Sequence, residues 1–169
     1  MKLSEEKKKE LEEIYQRFFN DEKIQKMKEI PMHRGSNCYE HSFKVAKLAI
    51  KRAMRHKRVL LEVVLVAAIL HDYYLYDWRK DKKLLKRHGS NHPYLAALNA
   101  KRDFGVDEII QKAIKSHMWP FNINEFPNSK EARIITLADK AVALREALTS
   151  KRHKNKHRER YLNKIKTLF

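Results

Sequence analysis

The longest apolar stretch of the chain is Val59-Leu60-Leu61-Glu62-Val63-Val64-Leu65-Val66-Ala67-Ala68-Ile69-Leu70, and it ends in His71-Asp72. It predicts a buried helix from about Val59 through the Tyr73-Tyr74 region. On either side, apolar positions recur on a helical period. Residues 4–30 read as one charged helix with an apolar stripe of Leu11, Ile14, Tyr15, Phe18 and Phe19, ended by Pro31. Residues 32–36 read as a loop. Asn37-Cys38-Tyr39-Glu40 has the form of a capping box, opening a helix with His41, Val45, Leu48 and Ala49 on one face.

The stretch 77–89 is strongly charged and reads as irregular or as a short helix. Ser90 or Asn91 then caps a helix carrying His92, Ala96 and Asn99, with Phe104-Gly105 as its stop. Asp107 to His117 forms another helix, with Ile110, Ala113, Ile114 and His117 sharing its apolar face. A loop follows from Trp119 to Pro127. Asn128-Ser129-Lys130-Glu131 is a second candidate capping box, opening a helix to about Leu148 on which Ile135, Asp139 and Val142 share a face. Beyond a basic stretch, 151–158, lies a last amphipathic helix with Tyr161, Leu162, Ile165, Leu168 and Phe169 as its apolar positions.

Three Gly and four Pro in 169 residues leave little turn punctuation. With the helical periods, this predicts an all-α bundle built as one domain. Its core spans about 32–148, preceded by the N-terminal helix 4–30 and followed by the basic tail and helix 150–169. The N-terminal stripe and the C-terminal helix are each candidates to close the core or to form a homodimer contact. The one cysteine, Cys38, excludes an intramolecular disulfide and a Cys-rich zinc site. The start of the chain has no apolar signal core, and the run before His71 falls short of the roughly 20 residues a bilayer span needs. A cytoplasmic protein with no membrane partner is expected. The net charge of +17 favours anionic partners. Nucleotides, nucleic acid and an anionic membrane surface all qualify on that ground, and a small phosphorylated or nucleotide substrate is the partner expected first.

Chemistry enters with the polar residues on the apolar faces. Burying an imidazole or a carboxylate without a partner costs on the order of several kcal/mol, and a metal cation serves both. His41, His71, Asp72, His92, His117 and Asp139 are the candidate ligands. Asp139 repeats the logic of Asp72, because Ile134-Ile135-Thr136-Leu137-Ala138 leads into it.

The order His41, His71-Asp72, Asp139 resembles the pattern of the HD-domain metal-dependent phosphohydrolases. Glu40-His41-Ser42-Phe43-Lys44-Val45-Ala46, Ala67-Ala68-Ile69-Leu70-His71-Asp72 and Leu137-Ala138-Asp139-Lys140 are similar to that family's ligand segments. The resemblance covers about Met32 to Leu148. It implies one metal held by His41, His71, Asp72 and Asp139. His92 and His117 resemble the extra ligands of two-metal members, with Asp72 bridging. In this the chain resembles the small bacterial diadenosine tetraphosphate hydrolases. Mixed His and carboxylate ligands suit a divalent ion, iron, manganese, zinc, nickel or cobalt, with magnesium also admitted.

The chain departs from the family at Leu75. Many relatives carry Lys or Glu there, three residues after the motif Asp. Asp77 and Lys80 lie nearby as replacements. Asp72, Arg34 and Asp77 are the catalytic candidates. Arg34, His33, His88 and Lys80 are candidates for phosphate contact, and Trp78 and Trp119 for the substrate wall. Tyr73 and Tyr74 read as packing residues. Lys140 is expected to point away from the ligand face. The reading is a hydrolase of nucleotide or related phosphoesters or phosphoanhydrides. The alternative, motivated by Leu75 and the charge, is a catalytically silent HD domain that binds nucleotide or nucleic acid as a regulatory module.

Overall fold

The computed structural model describes residues 3–32, 36–77, 82–148 and 158–169, without the side chains of 82–87, 158 and 161. Among these residues the fold is all helical: α1 (Glu5–Phe19), α2 (Glu22–Gln25), a 3-10 turn (Lys26–Glu29), α3 (Cys38–Ala53), α4 (Leu61–Leu70), α5 (Lys82–Phe104), α6 (Glu108–Ser116), α7 (Lys130–Leu148) and α8 (Arg158–Ile165).

The predicted helix over 4–30 is interrupted. The Asn20 N–H caps α1 through the Gln16 and Phe18 carbonyls, and the Asp21 carboxylate accepts from Lys23 N and Ile24 N at 2.8 and 3.1 Å. An N-cap residue in extended conformation starts a new helix direction. The turn lets Ile24, Met27 and Ile30 reach the core as well as Leu11, Tyr15 and Phe18. Pro31 then pairs with Asn37 in an isolated antiparallel bridge. Asn37 Oδ1 accepts from Glu40 N at 2.8 Å, so the predicted cap of α3 is made.

Helix α4 is the central post. Val64, Leu65 and Ala67–Leu70 are fully buried, and α1, α3, α6 and α7 all pack on it. Its helix ends at Leu70, short of the expected Tyr73-Tyr74 end, because His71 and Asp72 form a turn. That turn is held on three sides. The Tyr73 N–H donates to Leu70 O at 3.0 Å, the Cys38 thiol to Asp72 O at 3.1 Å, and the Asn99 amide to Tyr73 O at 3.0 Å.

Helix α5 runs unbroken through Ser90 and Asn91, neither of which starts a helix as expected. Pro93 lies inside it, removing one backbone donor. Gly105 stops it as expected, with φ +64° and its N–H on Lys101 O at 3.0 Å. Helix α7 is capped by Ser129 Oγ, which accepts from Ala132 N at 3.0 Å. The predicted box with Asn128 does not form, since Glu131 instead accepts from Leu60 N at 2.9 Å and pins the entry to α4.

The C-terminal segment docks on its own domain. Ile165 and Leu168 are buried, Tyr15 OH donates to Ile165 O at 2.6 Å, and Leu168 N donates to Glu12 at 2.9 Å. Tyr15 is itself fully buried, edge-on to Phe43 with centroids 5.1 Å apart. Tyr15→Phe therefore keeps the packing and leaves the Ile165 carbonyl unpaired. It should cost about 1 kcal/mol in urea unfolding. An unchanged midpoint would show that the tail adds nothing to the fold through this bond.

Candidate metal centre

Five elements converge on one buried point. His41 comes from the first turn of α3, His71 and Asp72 from the turn after α4, and His92 from the middle of α5. His117 caps the C-terminus of α6, and Asp139 sits mid-way along α7. All six are buried. They make three overlapping groups able to hold an ion: His41, His71 and Asp72; His71, His117 and Asp139; Asp72, His92 and His117.

The protonation of each ring follows from its outer partner. His71 Nδ1 faces Ala68 O at 2.8 Å, His92 Nδ1 faces His88 O at 2.7 Å, and His117 Nδ1 faces Ile114 O at 2.6 Å. A carbonyl only accepts, so each Nδ1 carries the hydrogen. His41 Nδ1 likewise donates to Glu146 Oε2 at 2.9 Å. In the neutral rings every Nε2 is then a lone pair aimed inward. His92 Nε2 and His117 Nε2 face each other at 3.0 Å, and His41 Nε2 faces Asp139 Oδ1 at 3.0 Å. His71 Nε2 is fully buried with no hydrogen-bond partner. Acceptors crowded against acceptors require positive charge between them, either protons or a cation.

Asp72 divides its two oxygens. Oδ2 lies 3.4 Å from His71 Nε2 and 3.9 Å from His41 Nε2. Oδ1 lies 3.3 Å from His92 Nε2 and 3.6 Å from His117 Nε2. Asp139 Oδ1 joins the first pair, 3.7 Å from His71 Nε2.

Without a cation, protons carry the charge. Burial opposes an imidazolium at His41, but Asp139 and Glu146 outweigh it and raise its pKa to about 9. Burial likewise opposes a charged His71, while Asp72 and Asp139 raise it to about 10. His117 goes the other way, to about 3, through burial and the neighbouring His71 and His92. Burial works against the Asp72 and Asp139 carboxylates, yet the surrounding histidines hold both well below the usual range.

Glu146 is a participant that sequence reasoning missed. It is buried, holds His41 Nδ1, and takes Lys44 Nζ at 2.9 Å and Ser36 Oγ at 3.3 Å. Its spacing was a readable signal, since it lies seven residues after Asp139 and so shares that helix face.

A cavity of about 610 Å³ opens onto the centre, lined by His41, Asp72, His92, His117 and Asp139 together with His88, Gly89 and Lys140. Met32, Met118, Pro120 and Phe121 form an apolar side. Lys140 turns toward the site rather than away from it. Its flexible stem lets Nζ reach His117 O at 3.0 Å, at the negative end of α6. His88 stacks on His92 with centroids 4.5 Å apart, and its Nδ1 meets Tyr76 OH at 2.9 Å. Asp77 and Trp119 are not among the lining residues. Trp119 packs edge-on against Phe126 at 5.4 Å, and its neighbours Pro120 and Phe121 form that wall instead. Tyr73 and Tyr74 are buried packing residues, as expected. Leu75 sits at φ +56° with its side chain packed on the core, so this position puts no polar group into the cavity. His33, Arg34, Trp78 and Lys80 lie outside the described residues.

The HD domain family matches residues 38–144, which span every one of these cavity-facing ligand candidates. The chain belongs to this family of metal-dependent phosphohydrolases. No curated protein and no solved structure gives a match. No helix among the described residues is long and apolar enough to cross a membrane.

The raised His41 and His71 values give the metal-free protein a distinct pH response. A group whose pKa rises on folding stabilises fully below its unfolded value, near 6.5, and loses that contribution as pH climbs through the folded one. The loss should fall between about pH 7 and 10. In the chelated protein the urea midpoint should drop across that window. The drop should be smaller in Glu146→Gln, which removes one of the carboxylates that raise His41. Equal pH profiles for the two proteins would contradict the assignment.

Proposed function

We propose that this chain is a hydrolase of small phosphorylated substrates, nucleotides foremost, working with two divalent ions. His41, His71, Asp72 and Asp139 hold the first. His92, His117 and the second oxygen of Asp72 hold the other. The observation that carries this reading is the set of inward Nε2 atoms, above all the unpartnered one of His71 and the 3.0 Å approach of His92 to His117. Divalent ions at such a site supply a polarised phosphoryl oxygen and an activated water.

The chain's own residues do the rest. Lys140, half-buried at the cavity wall, stands ready to neutralise a non-bridging phosphate oxygen. With Leu75 turned into the core, His88, which lines the cavity and stacks on His92, takes the proton-transfer role that Leu75 leaves open. Tyr76 orients its ring through the hydroxyl on Nδ1. Met32, Met118, Pro120 and Phe121 exclude water and seat the less polar part of the substrate. The volume suits a nucleotide-sized ligand, since pockets for such molecules span roughly 300–1,000 Å³. Within the family, the small two-metal enzymes resembling diadenosine tetraphosphate hydrolases are the group we favour. The silent regulatory alternative is not favoured, because the ligand candidates of both metal sites are present.

The test is elemental analysis joined to phosphate release from mono-, di-, cyclic and dinucleotides with several metals. Asp72→Ala should lose both ions and all turnover. His92→Ala and His117→Ala should each keep one ion and lose activity. Glu146→Gln should weaken metal affinity or turnover by about 10- to 100-fold. Metal-loaded protein that hydrolyses nothing across the panel would overturn the hydrolase reading, and full metal content in Asp72→Ala would overturn the ligand assignment.

A further inference from the structure

A second cavity, about 630 Å³, lies between α3, α7 and the C-terminal segment and shares no lining residue with the metal-centre cavity. Five cations line it: Lys44, Lys47 and Lys51 from α3, Arg145 from α7 and Lys164 from α8. No Asp or Glu side chain is among its described lining residues. Its floor is apolar, made by Leu48, Met54, Ile165, Leu168 and Phe169, with Ile165 and Leu168 buried.

Lys44 Nζ donates to Glu146 at 2.9 Å, and Lys47 Nζ donates to Thr167 O. An ammonium has three donors, so each keeps hydrogen-bonding capacity toward the cleft. Lys51, Arg145 and Lys164 are exposed around it. Five like charges gathered round one concavity, against the single Glu146 carboxylate that pairs with Lys44 behind it, favour a multiply charged anion. The apolar floor favours an anion with an apolar body, and the volume suits a small molecule.

We propose that this cleft binds a nucleoside triphosphate or a like anion, with phosphates on the lysine and arginine rim and the less polar body on the Leu48–Leu168 floor, independently of the metal centre. The inference holds whether or not the centre hydrolyses nucleotides, and a binding measurement separates the two.

Calorimetry of adenosine triphosphate and of inorganic tripolyphosphate against the full chain tests it, with chelator present. Adenosine triphosphate should bind the natural protein and Asp72→Ala alike, and more tightly than tripolyphosphate. Lys51→Glu/Arg145→Glu should weaken it by roughly tenfold or more. Reversing two exposed lysines elsewhere, in Lys9→Glu/Lys101→Glu, should change it by less than about twofold. Loss of binding in Asp72→Ala would overturn the proposal by placing the ligand at the metal centre. Equal weakening by both charge-reversal pairs would reduce the site to net charge. Tight binding of a short single-stranded oligonucleotide with none of the triphosphate would assign the cleft to nucleic acid instead.

Discussion

Everything in this fold is arranged round a cluster of acceptors that cannot coexist without positive charge. Four imidazoles spend their Nδ1 hydrogens outward, on the carbonyls of Ala68, His88 and Ile114 and on Glu146. That leaves four Nε2 lone pairs and two carboxylates facing one another in the interior. Such a cluster is costly in an apolar core unless charge fills it. The buried post α4 supplies the rigidity, and the turn that ends it, tied to Cys38, Leu70 and Asn99, places the two central residues side by side.

Asp72 is the hinge of the arrangement. One oxygen faces His41 and His71, and the other faces His92 and His117. Lysine 140 and the cluster also share an element, because α7 carries Asp139, Lys140 and Glu146 and so brings ligand, cation and orienting carboxylate together. The helix C-terminus of α6 contributes both His117 and the carbonyl that holds Lys140.

Much of this was legible in the chain. Apolar runs ending in His71-Asp72 and in Asp139 marked buried polar residues, and helical spacing put His41, His92 and His117 on inward faces. Phe104-Gly105 marked a helix stop, and the positive φ of Gly105 agrees with it. What escaped depended on tertiary partners. Asp21 reads locally as one more helix residue, and only the burial of Ile24, Met27 and Ile30 makes the break worthwhile. Ser90 and Asn91 look like caps, yet α5 extends through them so that His88 and His92 stack one turn apart. Glu131 left its predicted box because Leu60 N, distant in sequence, is a better-placed donor. Lys140 points inward only because the end of α6 lies within its reach.

The central claim is that cations sit among these Nε2 atoms. Crystals grown with manganese, with anomalous differences recorded at its absorption edge, test it most directly. The account predicts two peaks, one bonded to His41, His71, Asp72 and Asp139 and one bonded to His92, His117 and Asp72. A cluster without a peak, with the six side chains arranged as they are here, would contradict it.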